Sequence, residues 1–273
     1  MEACLILASA LLFWGAQEQQ PPQKPSEAPS APYVERDQRQ FNFYPGGKLQ
    51  IVTGVPGNVK VIGWGRAAVM LQVERIIYHL TPDQARLLAS QYPVQLRWSQ
   101  TSATIRTNGP PQSAATMEMN LTIYVPKEKT DINAQLLQGD LAIGAVNGWV
   151  EANLNEGNIE AKSLSGYFSA VTKRGDINVE MAGKRWTGHE FSAVTHKGSV
   201  DLVLPVDYSA ALLLETKAGN IQIQYPAQTV EGESVPLLAV TKNKASSLAA
   251  PLGQGGPPVK LLTMSGDVKL AAK

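Results

Sequence analysis

The 273-residue sequence has one cysteine, three histidines and a charged fraction of only 17%. A lone Cys4 excludes an internal disulfide framework, a thiolate zinc site and an iron–sulfur cluster. Charge of one sign is also lacking: 24 Lys+Arg against 23 Asp+Glu leave a net +1. Holding nucleic acid takes a strong basic bias, so nucleic acid is not an expected partner. The apolar run Leu5 to Ala16 falls short of the roughly 20 residues a membrane-spanning helix needs, and no transmembrane helix is expected. Neither a nucleophile-elbow G-x-S-x-G, a P-loop nor a dinucleotide fingerprint occurs, and no cofactor or metal is expected.

What the N-terminus does contain is an apolar stretch of signal-peptide length followed at once by a polar, Gln-rich segment. Residues 1–17 are read as a signal peptide, although Met1-Glu2-Ala3 lacks the usual basic start. That reading makes the protein exported, to the periplasm, the cell surface or the medium. Residues 18–38 carry Pro21, Pro22, Pro25, Pro29 and Pro32 with almost no bulky apolar residue, the composition of a disordered linker. The remainder, 39–273, is expected to be a single repeat-built β domain.

Within 39–138, alternation of apolar and polar residues with turn signals predicts strands at 40–44, 48–53, 59–62, 69–78, 94–98, 103–107 and 117–125. One helix is expected between them. Thr81-Pro82-Asp83-Gln84 supplies an N-cap threonine, a proline at the first helical position and a capping-box glutamine, and Pro93 ends the helix.

From 139 onward the sequence repeats. Gly139, Gly148, Gly157, Gly166 and Gly175 fall at intervals of nine, and units align best at eighteen. Gly139-Asp140-Leu141-Ala142-Ile143 matches Gly157-Asn158-Ile159-Glu160-Ala161 and Gly175-Asp176-Ile177-Asn178-Val179. Gly148-Trp149-Val150 matches Gly166-Tyr167-Phe168. Looser copies begin at Gly198, Gly219 and Gly266, and Gly57-Asn58-Val59 has the same form. Phe168-Ser169-Ala170-Val171-Thr172 recurs letter for letter at Phe191–Thr195. A short strand after each glycine turn cannot bury its face alone, whereas stacked copies can, at about 4.8 Å per rung. The expected fold is an all-β solenoid, or β-helix-like stack, with two strand-plus-turn segments per eighteen residues. A β-sandwich is the alternative. Residues 225–259 are expected to form a loop, and the last unit, Gly266 to Lys273, to end the stack with Lys269 and Lys273 guarding its edge.

These Gly-Asp/Asn-hydrophobic units resemble the bacterial putative-adhesin family of β-solenoid domains. So do Phe43-Tyr44-Pro45-Gly46-Gly47, the stretch Gly57 to Trp64, and the helix opened by Thr81. The resemblance spans about 40–224 and 260–273. It implies the fold, while the biochemical role of that family is largely undefined.

The chemistry sought in the repeats narrows the functional classes. Asp140 and Asp176 would lie two rungs, about 9.6 Å, apart, too far to share a calcium ion. The outward positions Ala142, Glu151, Glu160, Ser169 and Asn178 form no acidic strip for glycoside chemistry. His79, His189 and His196 have no accompanying nucleophile or ligand set. The surface feature that stands out is aromatic: Trp149 and Tyr167, eighteen residues apart, should stack outward on successive rungs. Together with Trp186 they are the candidate platform for a sugar or a protein, unless the insertion around Trp186 or the 225–259 loop covers them. The expected function is therefore a non-enzymatic exported or envelope domain for adhesion or protein interaction. A scaffold assembled by end-to-end stacking of copies is the second reading, and a carbohydrate-active enzyme the third.

Overall fold

The computed structural model describes residues 31–110, 117–230 and 233–273, and Ala31–Lys273 form one unit. The expected signal peptide, and the linker as far as residue 30, lie outside the described residues. In chain order the first elements are β1 (Tyr33–Asn42), β2 (Lys48–Thr53), β3 (Val59–Trp64), β4 (Ala68–Ile77), α1 (Pro82–Gln91), β5 (Gln95–Trp98), β6 (Ser102–Thr107) and β7 (Met117–Pro126). The repeats supply β8 (Asp131–Gln138), β9 (Leu141–Gly144), β10 (Asn147–Glu156), β11 (Ile159–Lys162), β12 (Ser165–Arg174), β13 (Ile177–Glu180), β14 (Gly188–Lys197) and β15 (Val200–Leu204). The last elements are β16 (Ala210–Thr216), β17 (Ile221–Gln224), β18 (Gln228–Val230), β19 (Glu233–Val235), β20 (Val240–Lys242), β21 (Ala245–Leu252), β22 (Pro258–Thr263) and β23 (Val268–Ala272).

The chain is all-β with largely parallel sheets, as expected. Sheet I has ten strands in the order β1-β4-β7-β3-β9-β11-β13-β15-β23-β17. Sheet II has eleven, β20-β21-β16-β22-β14-β12-β10-β8-β2-β6-β5. Each rung runs one strand in sheet II, turns at or near a glycine, and runs the next strand in sheet I: β2 then β3, β8 then β9, β10 then β11, and so on. The register steps by eighteen residues, with Trp149 beside Tyr167, Val150 beside Phe168 and Ile159 beside Ile177. Alternation decides which face is buried: Leu141, Ile143, Ile159, Ala161, Ile177 and Val179 lie in the core between the sheets, as does the stacked pair Phe168 and Phe191. Burying one such phenylalanine contributes about 2–3 kcal/mol.

A ladder of polar groups ties the rungs together. The backbone N–H of Asp140 donates to Asn58 Oδ1 (2.9 Å), that of Asn158 to Asp140 Oδ1 (2.8 Å) and that of Asp176 to Asn158 Oδ1 (2.8 Å). The series continues from Ser199 N to Asp176 Oδ1 (2.7 Å). These side-chain oxygens are thereby committed to backbone amides. Beside them the glycines are packed carbonyl to Cα. Gly157 has φ +137°, and a Cβ there would collide with the carbonyl oxygen of Gly139, so only glycine suits both the dihedral and the spacing. Gly148 differs: it lies inside β10 with no positive φ, and the close approach of the Thr130 carbonyl is what requires glycine there. The sheet I-to-II turns fall instead at Ala145 (φ 56°) and Ser163 (φ 51°). Strands β10, β12 and β14 accordingly run to ten residues rather than the five expected.

Three boundaries also differ from expectation. Among the described residues the first strand, β1, begins at Tyr33, inside the stretch read as linker. Strand β1 gains its partners by antiparallel pairing with β4 while most of its side chains stay exposed, so its composition carries no burial signal. The 225–259 segment is not simply a loop: β21 pairs antiparallel with β16 and buries Leu248 and Leu252. Finally, β22 and β23 do not end the stack. They slot between β14/β15 and β16/β17, leaving β17 as the last strand of sheet I. Lys273 accordingly reaches Glu180 Oε1 (2.8 Å) rather than guarding an edge, and the Lys273 ammonium holds the Glu180 carboxyl below its ordinary pKa.

At the opposite end, α1 has the expected capping box, with the Thr81 hydroxyl accepting from Gln84 N. Its buried Ala85 and Ala89 sit near β1 and β4, where Val73, Arg75 and Tyr33 line the same small cavity as Ala89.

Candidate interaction face

The outward side chains of sheet II form rows across the strands because parallel pairing keeps equivalent positions level. One row runs Ser102, Lys48, Asp131, Trp149, Tyr167; the next runs Thr104, Gln50, Asn133, Glu151, Ser169. In the first row the rings of Trp149 and Tyr167 stack with centroids 3.9 Å apart and planes 20° apart. Trp149 is 46% exposed and Tyr167 half-buried, so neither the 181–187 connection nor the 225–259 segment hides the pair.

The indole is held in place from several sides. Trp149 Nε1 donates to Glu151 Oε1 (2.8 Å), and Glu151 Oε2 accepts from Asn133 Nδ2 (3.0 Å). Trp149 N donates to Asp131 Oδ1 (3.1 Å). A stacked aromatic pair adds about 0.5–1.5 kcal/mol beyond area burial. On the side away from Tyr167, Trp149 forms one wall of a groove of about 550 Å³ with Lys48, Gln50, Thr104, Asp131 and Asn133. The sequence does not single out Lys48 or Asp131, which become neighbours only through the β2–β8 pairing.

Trp186 does not join the platform, contrary to expectation. It is 2% exposed, packs edge-on against Phe191 at 5.2 Å, and closes the core beside the 181–187 connection. The repeat glycines Gly57, Gly139, Gly157, Gly175, Gly198, Gly219 and Gly266 lie along one turn column, and Gly148 and Gly166 along another. The histidines are not brought together: His189 and His196 are seven residues apart on β14, about 23 Å along the strand. His196 Nδ1 lies 3.4 Å from the Thr172 carbonyl oxygen. Among the described residues there is no cluster of three or more metal-ligating side chains, and no helix is long and apolar enough to cross a membrane.

The resemblance read from the repeats is borne out. Residues 144–271 match the family described as Toastrack DUF4097. Among solved structures, the chain is similar to a putative cell adhesion protein from Clostridium sporogenes, at 9% identity and TM-score 0.43 over 88% of this chain and 100% of that one. It is also similar to a putative adhesin from Bacteroides fragilis, at 14% identity and TM-score 0.37 over 88% of this chain and 97% of that one. A putative lipid binding protein from Parabacteroides distasonis shares 9% identity at TM-score 0.24, over 86% and 96%. Identities this low carry no function across. No curated protein matches the chain.

Proposed function

We propose that this chain, with its Toastrack match over residues 144–271, is a non-enzymatic exported or cell-envelope protein whose outer sheet II face binds a protein or glycan partner. The observation that carries the reading is the fixed, half-exposed Trp149–Tyr167 stack beside a groove lined by polar groups. An aromatic pair held by Glu151 and Asn133 is already ordered, so a partner that covers it loses little side-chain entropy on binding. Export rests on the apolar run Leu5 to Ala16 and the Pro-rich stretch behind it.

The test is co-sedimentation of the purified full chain with cell envelopes of the source organism. The native chain should be retained, and a Trp149→Ala/Tyr167→Ala variant of equal solubility should stay in the supernatant. Equal retention of both would overturn the assignment of this face.

End-to-end stacking of copies is the second reading. It is favoured by β17 standing last in sheet I and by β5 standing last at the other end of sheet II. Opposing it, the antiparallel strands β1 and β4 with α1 occupy one end and β20 and β21 extend sheet II at the other, all interrupting the parallel stack. Light scattering on the full chain that gave only monomer across concentrations would remove this reading.

A further inference from the structure

The groove beside Trp149 has a composition that specifies its occupant more closely than "protein or glycan". We infer that it binds a neutral oligosaccharide, one pyranose stacking on the free face of Trp149 and its neighbours lying along the groove; this rests on the sheet II face being the interaction surface.

Four observations support it. First, the lining residues come from β6, β2, β8 and β10, four adjacent strands in the interior of sheet II. The strand backbones are paired on both sides, so an extended peptide finds no free edge and recognition must come from side chains. Secondly, the groove crosses those strands and spans about 14 Å at three strand spacings, room for a short linear oligomer.

Thirdly, the polar groups suit hydroxyls. Gln50 and Asn133 carry planar amides, Thr104 a hydroxyl, and Asp131 and Glu151 carboxylates that already accept N–H groups from Trp149 and Asn133. A hydroxyl can donate to such oxygens and accept from the amides, using one group type throughout. Fourthly, the charge balance disfavours anionic ligands. Lys48 is the one cation among the lining residues, against the two carboxylates. A phosphate, a nucleic-acid strand or an acidic sugar would meet net repulsion. A pyranose, with a C–H face for the indole and a ring of neutral hydroxyls, matches this lining.

The indole orientation is fixed before any ligand arrives. Tyr167 stacks on one face, Glu151 holds Nε1, and the groove opens on the other face. Gln50 lies two strands away on the next row and would address hydroxyls on a neighbouring sugar rather than the stacked one.

The experiment is calorimetric and fluorescence titration of the full chain with neutral tetrasaccharides of glucose, xylose and N-acetylglucosamine. At least one series should bind and change tryptophan emission. Trp149→Ala should weaken that binding by about tenfold or more, Gln50→Ala by a smaller factor, and Trp149→Phe should retain part of it. The absence of binding by every sugar at millimolar concentration, from a chain with a native melting transition, would overturn the inference, as would binding indifferent to Trp149→Ala. If sugars fail while envelope retention still depends on Trp149, the oligosaccharide assignment falls and the interaction face stands. If retention is also independent of Trp149, both fall.

Discussion

The Thr195 hydroxyl donates to the carbonyl oxygen of Gly175, 2.8 Å away in the neighbouring rung. The same bond recurs from Thr172 to Gly157 (3.1 Å), Thr263 to Gly198 (2.7 Å) and Thr216 to Gly266 (2.8 Å). All four threonines are buried. The column joins each rung to the glycine turn of its neighbour, so the turns are held by side chains as well as by the sheets.

Replacing Thr195 by valine keeps shape and burial but removes one such bond. A loss of about 1–2 kcal/mol is expected, measured by urea denaturation. Leu154 occupies the equivalent position in β10, so an apolar side chain is accommodated there and the variant should fold. A variant as stable as the parent would mean that the column contributes nothing.

Gly157→Ala tests the turn column itself. Its φ of +137° disfavours any side chain, and the added Cβ would strike the Gly139 carbonyl. The expected cost is at least about 3 kcal/mol, enough to lower the melting temperature sharply or prevent soluble expression. Asn158→Ala, which removes one acceptor of the Asp/Asn ladder without backbone conflict, should cost only about 1 kcal/mol. Equal effects of the two would contradict the steric account.

Tyr208 gives a pH prediction. It is buried, its hydroxyl lies 3.5 Å from the Met181 sulfur, and burial pushes its pKa up. A raised folded pKa means that stability is complete below the unfolded tyrosine value of about 10 and falls as pH rises past it. The unfolded chain releases the proton while the folded chain keeps it. Tyr208→Phe should sit within about 1 kcal/mol of the parent at neutral pH and lose less stability between pH 9 and 11. A smaller alkaline loss should persist, because burial also raises Tyr225. Equal alkaline sensitivity in the variant would rule out Tyr208 as the cause.

The sequence disclosed the strands of each rung because alternation is set locally, by which face of a strand meets the core. It also contained the threonine column, as Thr172, Thr195, Thr216 and Thr263 each stand three residues before a repeat glycine. The placement of β22 and β23 inside the stack was not legible. A repeat unit after a long interruption can dock on either side of β17, and spacing does not distinguish the two. Burial of Trp186 was hidden for a related reason: it lies between repeats, where no period assigns it a face. The polar half of the candidate groove depends on pairing β2 with β8, 83 residues apart for Lys48 and Asp131, a contact that no local pattern encodes.

The Trp149 assignment is tested most directly by envelope retention of full-length Trp149→Ala measured beside its melting temperature, with Leu238→Ala as a second variant. Leu238 is more exposed than Trp149, at 73%, but lies in the 225–259 segment away from the stack. The expected result is that Trp149→Ala melts within a few degrees of the parent and loses retention, while Leu238→Ala keeps it. Retention by Trp149→Ala equal to the parent, or lost equally in Leu238→Ala, would contradict a binding face centred on Trp149.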